Sequence, residues 1–346
     1  MASQTCYWDN AAADEKWQEA GNWYTENEAD RIPLADDKVA FDSRMVTPPD
    51  SGMTDGDTGA VAQCTYDLLH FRGGYTGGIG TAALPLICSP DKILIDGSGT
   101  YHICCGKTDQ ATNTTIATTI INNPSAIVYL YSNCNDGDNV AEFTTVYLLA
   151  GTLYLAYYSA DSDNQGCSVA TLHIIPRNNK ASNAKVIIEK DAYDVDNAQA
   201  TSIYMQNGTL RTDSQIATID LWNGTVNYGS EPVTETAVSE ADLNIATLNQ
   251  YGGTFHWYPD DEDSDATITA ANIYGGIFDA SVSTAYYSPE IGKIITTLKA
   301  YPGAIVNLDN NMATIDVPTL YNYGAEITFD KGIKLDIDPA TVYNQP

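Results

Sequence analysis

The sequence predicts an all-β protein built as a parallel β-helix, a solenoid of stacked coils with a small N-terminal cap region. Three observations predict it. Thr, Asn, Tyr, Ile and Gly are abundant while Lys, Arg and Glu are scarce, so helix-favouring surface residues are few and strand and turn formers are many. Apolar runs are short, and polar turns separate them. From about residue 140 onward one unit recurs: an apolar strand, a Gly-containing turn, and a second strand.

The composition narrows function before any motif is considered. Hydrophobic residues make up 43% of the 346 residues, enough to bury a core and too many for a disordered chain. Lys and Arg number 16 against 45 Asp and Glu, a net charge of -29. Such a surface repels nucleic-acid phosphates and anionic lipid headgroups, so neither nucleic acid nor membrane is an expected partner. It attracts divalent cations and basic surfaces, and its plainest consequence is solubility in a salty medium. No stretch supplies the ~20 consecutive apolar residues of a membrane helix. The opening Met1-Ala2-Ser3-Gln4-Thr5-Cys6-Tyr7-Trp8 has neither a basic n-region nor an apolar h-region and does not read as a secretory signal. With Met1 as the start, the chain is expected to be made in a cytoplasm. The cysteines, Cys6, Cys64, Cys88, Cys104, Cys105, Cys134 and Cys167, contain no C-x-x-C pair. That leaves a zinc or dithiol site unsupported and favours free, buried thiols.

Residues 1–60 differ from the rest and form the expected cap. Ala11 to Ala20, with Trp17 in it, is the best helical stretch and ends at Gly21-Asn22, a normal helix stop. The last part of Ile32 to Phe41 alternates and reads as a short strand entered through a turn. Residues 47–58 hold two Pro, two Gly and three Asp, which reads as a loop. Residues 61–139 form a β-rich lead-in. Its strands are expected at Leu84–Cys88, Lys92–Ile95, Thr100–Cys105, Ile116–Ile121 and Ala126–Tyr131, with a turn at Asp96-Gly97-Ser98-Gly99.

Residues 140–346 form the expected solenoid. The recurring unit is Val146 to Leu153 around Gly151, Ile203 to Leu210 around Gly208, and Ile219 to Val226 around Gly224. It continues as Leu248 to Phe255 around Gly253, Ile273 to Phe278 around Gly276, Leu298 to Ile305 around Gly303, and Leu320 to Ile327 around Gly324. Gly lets the chain take positive φ at a corner without a Cβ clash. Each flanking apolar residue would then stack on its equivalent one coil away, making a continuous interior. The intervals between these glycines are unequal, so loops are expected to bulge between some coils, as at 229–242 and at Asp260-Asp261-Glu262-Asp263-Ser264-Asp265. A hairpin sandwich, which also places Gly in turns, is the alternative.

Trp8, Trp17, Gly21-Asn22-Trp23, Pro33, Asp36-Asp37, Val39 and Phe41 resemble the W…NW…P…D-x-V-x-F opening of bacterial and phage surface β-helix proteins. The Gly-Thr-apolar units resemble the bodies of such proteins, and together these loose motifs cover most of the chain. The missing export signal departs from secreted members and suits phage members, which are made in the host cytoplasm. The length is modest for a receptor-cleaving tailspike. The resemblance therefore implies a right-handed, trimeric virion structural protein, a decoration or cement protein on the outer capsid surface. Its partners would be the major capsid protein and other copies of itself. Trp8, Trp17, Trp23 and Phe41 would cap the solenoid or contact the shell. A tailspike-like polysaccharide-binding or polysaccharide-degrading protein is one alternative. A bacterial cell-surface adhesin is another.

Candidate chemistry is sparse. Asp161-Ser162-Asp163-Asn164-Gln165-Gly166 begins like a calcium loop, but its twelfth position is Leu172, where a bidentate Glu is needed. Asp194 and Asp196 lie in a second acidic loop. Calcium is the one metal such loops suit, and a solvated acidic turn is the simpler reading. No other cofactor is expected. Glycoside hydrolysis needs two carboxylates about 5 to 10 Å apart, a distance that spacing along a chain does not supply. A lyase would need Lys or Arg in its cleft, and basic residues are few. His70, His102, His173 and His256 are well separated and form no Ser-His-Asp grouping, so no catalytic residue is assigned. Tyr251, Tyr274, Tyr301 and Tyr323 each sit one or two residues before a corner Gly. In a solenoid they would align along one edge, as a sugar platform, a subunit contact, or a ladder of stacked rings.

Overall fold

A computed structural model describes residues 4–11, 20–25, 31–34, 36–45, 47–48, 66–82, 85–105, 115–132, 143–156, 167–177, 184–188, 199–212, 214–229, 244–258, 266–280, 292–308, 314–328 and 343–344. The protein is nearly all β, and its strands pair almost entirely in parallel. A sandwich of hairpins would pair antiparallel, so the expected parallel β-solenoid is the fold. The chain divides into two compact units, Met1–Leu172 and His173–Pro346.

The first unit opens with β1 (Thr5–Trp8), β2 (Trp23–Thr25) and β3 (Lys38–Phe41). β1 runs antiparallel to β2 and parallel to β3. Period-two alternation turns Cys6 and Trp8 inward, and the rings of Trp8 and Trp23 meet edge to face at 5.2 Å. Phe41 closes the cluster at 6.3 Å from Trp8 and stacks on Phe71 at 5.0 Å. The turn into β3 is tied by Asp37, which accepts from the amides of Gln4 (3.0 Å) and Leu34 (2.7 Å) and from Arg31 Nη1 (2.7 Å). Burial raises the Asp37 carboxyl, but these hydrogen bonds and the Arg31 charge outweigh it, so its pKa falls below the usual carboxylate value. Ala20–Asn22 is a single 3-10 turn. The rest of the expected helix, Trp17 included, lies outside the described residues.

Parallel stacking does not wait for residue 140. β3 pairs in register with β4 (Leu68–Phe71), which pairs with Lys92–Ile95, which pairs with Ile116–Ser132 and then Phe143–Leu155. The runs expected at Ile116–Ile121 and Ala126–Tyr131 join into one extended stretch, with a register shift between Asn122 and Ile127. The Gly-Thr-apolar unit is sparser in these coils, occurring at Gly99-Thr100-Tyr101 and at Gly151-Thr152-Leu153, so the repeat is hard to read before residue 140.

The second unit carries two parallel faces joined by the glycine corners. On one face, Ile203, Ile219, Leu248, Ala271, Leu298 and Leu320 lie in one column, rung upon rung. On the other, Val186, Leu210, Val226, Phe255, Phe278 and Val306 form a second column. Both columns are buried, and Phe255 stacks on Phe278 at 5.6 Å with the rings within 5° of parallel. Each such side chain contributes about 1.5–3 kcal/mol by leaving water.

The corner glycines take positive φ, from 68° at Gly253 to 112° at Gly324. Two of them differ in a useful way. A Cβ on Gly253 would lie 2.6 Å from the carbonyl oxygen of Gly224 on the rung below, whereas one on Gly303 would meet nothing within 4 Å. Gly253→Ala therefore adds a backbone clash to the φ penalty, and Gly303→Ala carries the φ penalty alone. We expect Gly303→Ala to cost about 1–2 kcal/mol and Gly253→Ala clearly more, read as the ordering of their thermal midpoints by circular dichroism.

Candidate functional site

Every rung of the second unit turns its corner the same way, so the residue that begins each corner lies above its equivalent. Trp222, Tyr251, Tyr274, Tyr301 and Tyr323 each follow a residue of one in-register row, Leu221, Gln250, Ile273, Ala300 and Asn322. Their rings make a ladder. Centroids are 4.3 Å apart for Trp222–Tyr251, 5.1 Å for Tyr251–Tyr274, 4.6 Å for Tyr274–Tyr301 and 4.8 Å for Tyr301–Tyr323. All four pairs lie within 19° of parallel. Tyr204 leans on Trp222 at 6.4 Å, and His173 leans on Tyr204 at 5.7 Å, both tilted. Each stacked pair adds about 0.5–1.5 kcal/mol beyond its area burial.

The four tyrosines expected along one edge are thus brought together. Trp222 is a fifth member, missed because Trp broke the Tyr pattern, although it precedes Gly224 by the same two residues as Tyr251 precedes Gly253. The spacing is that of direct ring contact. No pyranose fits between the rings, and the ladder offers solvent its edges rather than its faces. Trp222, at 48% exposure, is the most exposed large hydrophobic residue described. Ile277 and Ile305, also exposed, lie just past the same corner.

Beside the rings runs a polar row. Asn249 Nδ2 donates to Asp220 Oδ1 at 2.8 Å, and Asn272 Nδ2 donates to Asn249 Oδ1 at 2.9 Å. Burial, and then the Asp220 charge, raise the Tyr251 hydroxyl pKa; burial and its neighbouring tyrosines raise that of Tyr301. The same register row carries Asp220 at one end and Lys299 at the other, with Asn249 and Asn272 between them.

The other candidate residues are dispersed. Trp8, Trp23 and Phe41 are buried, and their rings pack on one another at the start of the first unit. Trp17 lies outside the described residues. So do Asp161, Asp163, Asp194 and Asp196, the candidate calcium ligands, and the Asp260–Asp265 run. Among the described residues, no group of three or more His, Cys, Asp or Glu could hold a metal ion. His70 Nε2 lies 3.1 Å from Asp96 Oδ2, His102 Nδ1 lies 2.8 Å from the Tyr131 hydroxyl, and His256 Nδ1 lies 3.4 Å from Asp279 Oδ2. Burial lowers the pKa of His70, His102 and His173, against the Asp96 contact in the first case. The described cysteines, Cys6, Cys88, Cys104, Cys105 and Cys167, are free and buried.

No protein-family model, curated protein or solved structure matches the chain.

One further group was invisible in the sequence. Lys293 sits in the inward row with Ala266 and Ile315, fully buried. Its Nζ donates to the carbonyls of Trp257 (2.6 Å) and Ala280 (2.7 Å) and lies 5.4 Å from the Trp257 ring centroid. Burial pushes its pKa from 10.5 down to about 7, with Asp279 opposing. Unfolded, the amine holds its proton up to its ordinary value; folded, it releases it near neutrality. The unfolded chain therefore binds more protons across this window, and stability rises with pH between about 7 and 10.5. The slope approaches about 1.4 kcal/mol per pH unit. Denaturant melts at pH 7, 8 and 9 should show this rise in the wild type and its loss in Lys293→Met.

Proposed function

We propose that the chain is a non-enzymatic structural protein of a virion, a homotrimeric β-helix that decorates and stabilises the outer surface of a capsid. The observation that carries this reading is how the second unit uses its outward side chains. They are committed to ladders along the stack, rings on rings and amides on amides, instead of converging on a cleft. Such ladders stiffen a solenoid, and stiffness serves a display or cement role more directly than turnover. The parallel β-solenoid, the cap resemblance and the acidic, soluble surface agree with the same reading.

The ring-lined corner, beside which Asp220 and Lys299 balance one another, supplies the subunit contact. Copies carrying -29 charges each repel one another wherever carboxylates face. The Trp222–Tyr323 edge, with Ile277 and Ile305 beside it, is an uncharged apolar stripe, of the kind that marks an association surface. The ring spacing also weighs against a sugar platform, because stacking consumes the faces a sugar would use.

Two measurements test this. Sedimentation equilibrium of the purified chain should give three times the chain mass, falling to one times the mass in Trp222→Asp. Immunogold labelling of source particles should place the chain on the head. Absence of label there sinks the decoration role, and hydrolysis or elimination of bacterial polysaccharide by the pure protein sinks the non-enzymatic one.

A further inference from the structure

The cap carries a feature that its buried tryptophans do not explain. Tyr7 on β1 and Tyr24 on β2 are cross-strand partners whose rings lie 6.2 Å apart. Alternation points them away from the Trp8 and Trp23 side. Two guanidiniums sit on these rings. Arg44 lies 4.4 Å from the Tyr7 centroid and 5.6 Å from that of Tyr24, and Arg72 lies 4.8 Å from that of Tyr7. Arg44 is held from its other side by Asp42, with Nε 3.0 Å from both carboxylate oxygens and Nη2 2.8 Å from Oδ2. Burial raises the Asp42 carboxyl, but its hydrogen bonds from Arg44 and the charges of Arg44 and Arg72 bring it below the usual value. Asp42 thus forms its ion pair with Arg44 and feels Arg72 only at longer range, and among the described residues no carboxylate forms a close ion pair with Arg72.

This is an unusual place in so acidic a chain. Arg31, Arg44 and Arg72 are three of its five arginines. Arg31 is spent on Asp37 inside the cap, whereas the Arg44 side chain is 52% exposed and Tyr24 is 40% exposed. β2, which carries Tyr24, pairs only with β1 among the described strands, so this face lies at the first edge of the unit. Arg and Tyr are the residue types that dominate binding energy at protein interfaces. Here they are already fixed by ring and carboxylate contacts, which lowers the entropy lost on docking.

We propose that this face, Tyr24 with Arg44 and Arg72 over Tyr7, is the docking surface for a carboxylate-bearing patch on the protein shell that the chain decorates. The inference rests on the decoration reading and names the attachment site within it. A protein carboxylate fits the chemistry: it pairs with the free donors of Arg72, while Tyr24 packs beside it. A long polyanion such as a polyuronate or nucleic acid fits worse, since the rest of the chain repels it.

The test uses the full-length chain and shells purified from the source without it, in a cosedimentation assay. Wild type is expected to bind, more weakly as salt rises. Arg72→Glu and Arg44→Glu should each weaken binding by about ten-fold or more, and Arg72→Gln by less. Lys185→Glu, the same charge change at an exposed strand lysine of the second unit, should leave binding within about three-fold. Thermal melts show that each variant is folded. Wild-type binding that survives Arg72→Glu and Arg44→Glu overturns the docking face and leaves the decoration role standing. Equal loss in Lys185→Glu reduces the effect to overall charge and overturns the docking face as well. Failure of the wild type to bind shells overturns both. Binding of polyuronate in place of shells, lost in Arg72→Glu, reassigns the face to sugar acids and overturns the proposal.

Discussion

Within each unit the described rungs lie in register on one another, and that register governs nearly everything else. A parallel ladder fixes neighbouring strands about 4.8 Å apart, so equivalent side chains are forced to within contact distance of one another. Inside, this makes columns such as Val226, Phe255, Phe278 and Val306, where like packs on like. Outside, the same spacing brings Asn249 onto Asp220 and Tyr274 onto Tyr251. At Gly208, Gly224, Gly253 and Gly276 the glycine makes the register possible, because a carbonyl of the neighbouring rung lies where a Cβ would press on it.

A consequence is that the outer surface is as ordered as the inner one. A lone exposed Tyr is an ordinary surface residue, but five rings in ladder form a continuous edge with few degrees of freedom. Beside that edge Asn249 and Asn272 separate the single carboxylate, Asp220, from the single amine, Lys299, so the row carries one charge of each sign. In a chain of such negative charge, an edge with balanced charge is the place where close approach by another acidic copy costs least.

The two units solve different problems with the same pairing. The first unit begins with an antiparallel strand, β2, laid beside β1, and closes its interior with Trp8, Trp23 and Phe41. An open parallel edge would expose both backbone donors and an apolar column. Asp37 secures this closure by gathering amide and guanidinium donors on one buried carboxylate. The second unit instead tolerates a buried amine, Lys293, by giving it two carbonyls and the face of Trp257. That arrangement ties its interior to pH.

The sequence by itself determined the fold class, the glycine corners and the alignment of Tyr251, Tyr274, Tyr301 and Tyr323. Those features rest on local rules, alternation of two and positive φ at Gly, that repeat along the chain. It read residues 61–139 only as a β-rich stretch; there Leu69 pairs with Ile93 and Ile95 with Ile121, and the Gly-Thr pairs at Gly80 and Gly99 are too few to show a repeat along the chain. It left Trp8, Trp23 and Phe41 as either a cap on the solenoid or a contact with a shell, because hydrophobicity alone does not tell a cap interior from a contact face. Only the tertiary structure decided which way those rings point. Only it brought Arg44 and Arg72, far apart in sequence, onto one tyrosine, and placed Lys293 out of water. Such contacts depend on which rung lies over which, and loops of unequal length between rungs remove that information from any spacing along the chain.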